Sequence, residues 1–185
     1  MQIRTSLNGG DRGFLLDYIK PGTIGAELGV WKGEFSLIIK NQKKPKLLYL
    51  IDPWIAYLNA VGVLKEDDVK PLAEDDRYQL VLQKFSDGIT NGSVKVIRKY
   101  TPCACLEIPD NSLDWIYVDA GHAYHEVKED LKNILPKMKK GSIIMGDDYN
   151  PNAWVGVVQA VDEFIVENNI HLIEFQNCQY VLEVL

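Results

Sequence analysis

Short apolar runs of strand length alternate with longer stretches of helical period along almost the whole chain, and this alternation restricts the fold more than any other feature of the sequence. Runs spaced by helices form βαβ units, whose strands lie parallel in a sheet covered on both faces. The run at 46–51, Lys-Leu-Leu-Tyr-Leu-Ile, is almost uninterrupted in apolar character, as expected of a strand buried on both sides. Further strands are expected at 23–28, 94–98, 113–118, 142–145, 170–175 and 179–185, with helices at 33–39, 74–85, 127–138 and 154–167. A flanking helix within 1–22 begins near Asp11, carries Phe14, Leu15, Tyr18 and Ile19 on one face, and is stopped by Pro21 and Gly22. The clearest helix repeats Val127, Leu131, Ile134, Leu135 and Met138 at three- and four-residue spacing; Pro136 should shorten its last turn and Gly141 resets the chain for the next strand. Only Gln176, Asn177 and Cys178 separate the last two runs, too few for a parallel crossover, so these two strands pair antiparallel.

With 185 residues and no linker or internal repeat, the chain reads as one domain over 1–185. Twenty basic against twenty-six acidic side chains give a net charge of −6, which argues against nucleic acid or an anionic membrane as partner and favours a small molecule. No apolar run reaches the roughly 18 to 20 residues of a membrane span and the first residues lack a signal-peptide pattern, so a cytoplasmic protein is expected, with a homodimer as the default assembly. Cys103, Cys105 and Cys178 show no CxxC spacing, which excludes a disulfide framework and a zinc knuckle.

In open parallel sheets ligands bind beyond the carboxyl ends of the strands. The first strand ends in Glu27-Leu28-Gly29-Val30-Trp31-Lys32-Gly33, which is neither GxGxxG nor a Walker loop, so a pyrophosphate or triphosphate ligand loses its usual support. Asp52 closes the second strand 25 residues after Glu27, about where a carboxylate accepts hydrogen bonds from both ribose hydroxyls of a nucleoside. At these residues the chain resembles the class I S-adenosylmethionine-dependent methyltransferases over nearly all of 23–185. Glu27-Leu28-Gly29 looks like their glycine-rich motif, Asp52 like the ribose-binding acid, and the final hairpin like their reversed seventh strand. The resemblance implies a Rossmann-like α/β fold, a doubly wound sheet of seven mostly parallel strands closed by an antiparallel C-terminal hairpin. It also implies S-adenosylmethionine as cofactor, held by Glu27, Gly29 and Asp52, with Gly29 and Val30 along its amino-acid portion, Ser36 near its carboxylate, and Trp54 and Thr101 near the adenine.

Asp119 closes the fourth strand and Asp147-Asp148 the fifth, so three carboxylates converge at neighbouring strand ends. Converging carboxylates repel, and a hard cation such as Mg²⁺ lets all of them stay ionised. The stretches Tyr117-Val118-Asp119-Ala120-Gly121-His122 and Gly141 to Tyr149 are similar to metal-dependent O-methyltransferases of the catechol and macrolide-sugar types. They also resemble a broader bacterial group in which many members carry histidine-aspartate where this chain has Asp147-Asp148. The resemblance implies Asp119, Asp147 and Asp148 as metal ligands, with Asp119 also touching cofactor and acting in catalysis, and a hydroxylated small molecule as acceptor. By the resemblance His122 lies about where the catechol-type relatives carry a lysine base, and an imidazole there is expected to act as the base that takes the acceptor's proton.

Other readings stand beside these. Gly29 and Gly33 could serve tight packing alone, Asp52 could cap the following segment, and Asp147 and Asp148 could be solvated turn residues. A nucleoside-binding regulatory protein and an aminopropyltransferase on the same fold are the alternative functions. Residues 55–76 form a long connection and are expected to contribute a lid or substrate wall.

Overall fold

The computed structural model describes residues 12–55 and 71–185, so most of the expected lid, at 56–70, lies outside the described residues, as does Asp11. A 3-10 turn at Gly13–Tyr18 precedes β1 (Ile24–Leu28), α1 (Glu34–Lys43), β2 (Leu47–Ile51), α2 (Pro71–Lys84) and α3 (Ser86–Thr90). There follow β3 (Val94–Ile97), α4 (Thr101–Cys105), β4 (Leu113–Val118), α5 (Tyr124–Ile134), β5 (Met138–Gly146), α6 (Val155–Glu167), β6 (Ile170–Gln176) and β7 (Gln179–Val184).

The strands form one seven-stranded sheet in the order β3-β2-β1-β4-β5-β7-β6. Neighbours from β3 to β5 are parallel, and β7 runs antiparallel to both β5 and β6. This is the expected mostly parallel sheet with its antiparallel hairpin. Strand order reverses between β1 and β4, which places a crevice at their carboxyl ends.

Alternation along each strand assigns side chains to two cores, one on each face of the sheet. Leu28, Tyr49, Ile51, Ile116, Val118 and Ile144 face α4, α5 and α6. Leu48, Leu50, Trp115, Tyr117 and Met145 face α1, α2 and the N-terminal turn. On β1 the residues of this second parity are Gly25 and Glu27. A Cβ at Gly25 would fall 2.0 Å from the Trp115 ring, so the indole occupies the place of a side chain. Glu27, 2 % exposed, accepts a hydrogen bond from the Ser36 hydroxyl. Burial pushes its carboxyl up to about 8, against the opposing effect of that hydrogen bond.

Four elements depart from the sequence expectation. The first helix is a 3-10 turn, which begins at Gly13. The strand after α5 begins at Met138 rather than at 142, because Gly141 (φ +74°) lies within β5, between the pairing of Leu113 with Met138 and that of Trp115 with Ile143, instead of preceding the strand. Met138 therefore leaves the helix, whose end is a 3-10 turn at Leu135–Lys137 that contains Pro136. The other two departures, α3 and α4, lie outside the expected helices and at five residues each are too short to show a period.

Gly29, at φ +81°, ends β1 against β4: a Cβ there would lie 1.7 Å from the Asp119 carbonyl oxygen. Gly92 has a similar φ of +78° with open space around it. Gly29→Ala should lower the unfolding free energy by at least about 3 kcal/mol, from backbone collision, and Gly92→Ala by only about 1 kcal/mol, from the left-handed conformation. Urea titration of both variants measures the difference. Glu27 gives a pH-dependent counterpart. Its proton leaves near 8 in the folded protein but near 4.5 in the unfolded chain, so the stability this group contributes is full below 4.5 and is lost as pH rises through 8. The melting temperature of Glu27→Gln should therefore gain on that of the wild type between pH 5 and 8; a constant difference would contradict the neutral carboxyl.

Candidate active site

A cavity of about 600 Å³ opens at the carboxyl ends of β1, β2 and β4, within the usual size range of small-molecule sites. Gly29, Asp52, Thr101 and Asp119 stand in its wall, joined by Gly121 and Asp130. Glu27, Val30, Ser36 and Trp54 do not line it; all four are buried behind the wall.

Asp52 is held by the backbone of both adjoining loops. Its Oδ2 accepts the Trp31 N–H at 2.8 Å and its Oδ1 the Trp54 N–H at 2.7 Å. Trp31 and Trp54 both have positive φ (51° and 43°), and the Trp54 indole N–H donates to the Trp31 carbonyl at 2.8 Å. Burial raises the Asp52 pKa, and the backbone N–H groups oppose the rise. Each carboxylate oxygen can accept more than one hydrogen bond, so this anchoring leaves capacity toward the cavity.

At the far end Asp130 accepts a hydrogen bond from the Thr101 hydroxyl, and burial pushes its carboxyl up to about 6. Arg77, 9 % exposed, lines the cavity and lies 5.6 Å from the Trp31 ring centroid. Neither Asp130 nor Arg77 belongs to a motif. Asp130 is buried on α5, the helix against which α4 packs.

Beside the cavity a small recess is lined by Asp119, Gly121, His122, Asp147, Asp148 and Tyr180, among others, and shares Asp119, Ala120 and Gly121 with it. Asp119, His122 and Asp148 each offer a ligand atom, and the three atoms lie within 4.8 Å of one another. Asp148, at φ +62°, places Oδ2 2.6 Å from His122 Nε2, and the imidazole stacks on Trp154 with centroids 4.4 Å apart. Burial pushes Asp119 up to about 6, with Arg12 opposing and Asp147 and Asp148 adding to the rise.

Asp147 is not part of this triad. Its Oδ1 accepts the Asp148 N–H at 2.8 Å and the Gln179 amide, and its Oδ2 accepts Arg12. The Tyr117 hydroxyl in turn fixes Gln179 at 3.0 Å. Arg12 also reaches Asp119, Nη1 to Oδ2, at 2.8 Å. Sequence reading missed this arginine, which lies 135 positions from Asp147 in a segment without motif. Of the three expected metal ligands, the fold brings Asp119 and Asp148 together, with His122 beside them, and Asp147 lies outside that group.

The fold is similar to that of an rRNA methylase from Streptococcus thermophilus, with 15 % identity over 93 % of this chain and 92 % of that one and a TM-score of 0.62. The O-methyltransferase NovP is similar at 18 % identity over 91 % and 76 % of the two chains, with a TM-score of 0.58. TrmK of M. capricolum, in complex with its cofactor product S-adenosyl-homocysteine, is similar at 16 % identity over 92 % and 64 %, with a TM-score of 0.54. At these identities the likeness concerns the fold alone. A 54-residue stretch is 37 % identical to the Sinorhizobium fredii protein called Uncharacterized protein y4gI, covering 29 % of this chain and only 6 % of that protein's length. Among the described residues no helix is long and apolar enough to cross a membrane. The methyltransferase domain family matches residues 26–149, which run from β1 through the ends of β4 and β5. The chain belongs to this family of methyltransferase domains.

Proposed function

We propose that the chain transfers a methyl group from S-adenosylmethionine to a hydroxyl oxygen of a small molecule, with a divalent cation such as Mg²⁺ held by Asp119, His122 and Asp148. The observation that carries this reading is the place of Asp119, which stands in the cavity wall and, with His122 and Asp148, in the adjoining recess. Methyl donor and acceptor oxygen thereby have neighbouring sites. When bound, the cofactor supplies a methyl group already made electrophilic by its sulfonium. The chain's remaining tasks are to align the acceptor oxygen with that methyl and to favour its deprotonated form. Asp52 accepts the ribose hydroxyls, and Gly29 lets the backbone approach the cofactor. The two carboxylates suit Mg²⁺ or Mn²⁺, the imidazole is the softer ligand and favours Mn²⁺ of the two, and such an ion, when bound, would lower the pKa of a ligated hydroxyl. The acidic net charge and acidic cavity wall support a small acceptor over RNA.

The contact of His122 with Asp148 favours a second reading, in which Asp148 orients His122 and the imidazole takes the acceptor's proton without a metal. A chelator separates the two. Methyl transfer to hydroxylated acceptors should fall at least ten-fold in EDTA and return with Mg²⁺; indifference to both favours the metal-free base. Titration with Mn²⁺ should show binding lost in Asp148→Asn and His122→Ala but retained within a few-fold in Asp147→Asn. For the cofactor, calorimetry should show S-adenosylhomocysteine binding to the wild type and binding at least about ten-fold weaker in folded Asp52→Asn, since a hydrogen bond to a charged group contributes about 1.5–3 kcal/mol. Equal affinity would remove Asp52 from the ribose site.

A further inference from the structure

Arg12 enters the carboxyl edge of the sheet from the N-terminal side and sits between the ends of β4 and β5. Its guanidinium forks onto two carboxylates, Nη1 to Asp119 at 2.8 Å and Nη2 to Asp147. The same group lies 5.9 Å from the Phe35 ring centroid and 5.5 Å from that of Tyr117, and the side chain is only 14 % exposed. Its Nε is buried and makes no hydrogen bond among the described residues. One donor is thus forfeited while the other two nitrogens both meet carboxylate, so the pose is set by ion pairing with Asp119 and Asp147 together.

This placement has consequences for any cation at the neighbouring triad. The Asp147 oxygens are already engaged by Arg12, Gln179 and the Asp148 N–H, which makes Asp147 a poor ligand. Asp119 is shared, since one of its oxygens serves Arg12 while the residue also belongs to the triad. A divalent ion bound there meets a fixed positive charge across a single carboxylate, in surroundings where charges are weakly screened. Arg12 also compensates the carboxylate repulsion that would otherwise demand a metal.

We propose that Arg12 is a resident counter-cation of the site: a positioning residue that withdraws Asp147 from ligation and weakens divalent-ion binding at Asp119, His122 and Asp148. The inference rests on the cation reading given under the proposed function. It makes the ion exchangeable, because the carboxylates are compensated whether or not an ion is bound.

The test is calorimetric titration of Mn²⁺ alone into the full chain, without cofactor or acceptor, for the wild type, Arg12→Met and Arg12→Lys, each checked for a cooperative melting transition. Arg12→Met should bind Mn²⁺ at least ten-fold more tightly than the wild type. Arg12→Lys should fall between them, because it keeps a charge but loses the planar fork. If Arg12→Met does not fold, the lysine variant decides: tighter binding than the wild type supports the proposal and equal binding overturns it. Equal or weaker binding by a folded Arg12→Met overturns the role of Arg12 and leaves the cation reading intact. Absence of Mn²⁺ binding in all three chains overturns both.

Discussion

Holding carboxylates away from water at one edge of a parallel sheet is costly, and every feature of the site answers to that cost. The strands deliver Glu27, Asp52, Asp119, Asp147 and Asp148 to the same edge, and each acid is compensated differently. Glu27 keeps its proton, and Asp52 takes backbone N–H groups from both neighbouring loops. Asp147 is saturated by Arg12, Gln179 and the following peptide, and Asp148 meets the His122 imidazole. Asp119 has Arg12 on one side and faces the cavity on the other, with its carboxyl pushed up to about 6. It stands in the wall of both the cavity and the recess and so joins the two.

Strand ends were legible in the sequence because apolar runs of fixed length end in residues that cannot remain in a buried strand. Asp52 follows Ile51, Asp119 follows Val118, and Asp147 follows Gly146; the sheet places all three at its carboxyl edge. The antiparallel hairpin was equally legible, since Gln176, Asn177 and Cys178 leave no room for a crossover, and Asn177 and Cys178 make the turn with positive φ.

What escaped the sequence was the pairing of charges between distant segments. Periodicity reports burial and says nothing about which cation meets which carboxylate, so Arg12 passed as part of a flanking helix. Convergence of three acids implied three ligands; the fold turns Asp147 toward Arg12 and sets His122 beside Asp119 and Asp148. Gly141 was misread for a related reason: a positive φ can end a strand or lie within an irregular one, and only the pairing with β4 decides. Asp130 lines the cavity from the helix against which α4 packs, and α4, at five residues, is too short to leave a pattern.

In the proposed function, cofactor and cation occupy adjoining sites on either side of Asp119. A crystal soaked with S-adenosylhomocysteine and Mn²⁺, with data collected at the manganese absorption edge, tests it most directly. The expected result is the nucleoside in the cavity with its ribose on Asp52, and one anomalous peak ligated by Asp119, His122 and Asp148 while Asp147 stays on Arg12. Nucleoside density away from Asp52, or a manganese peak ligated by Asp147 with Arg12 displaced, would contradict it.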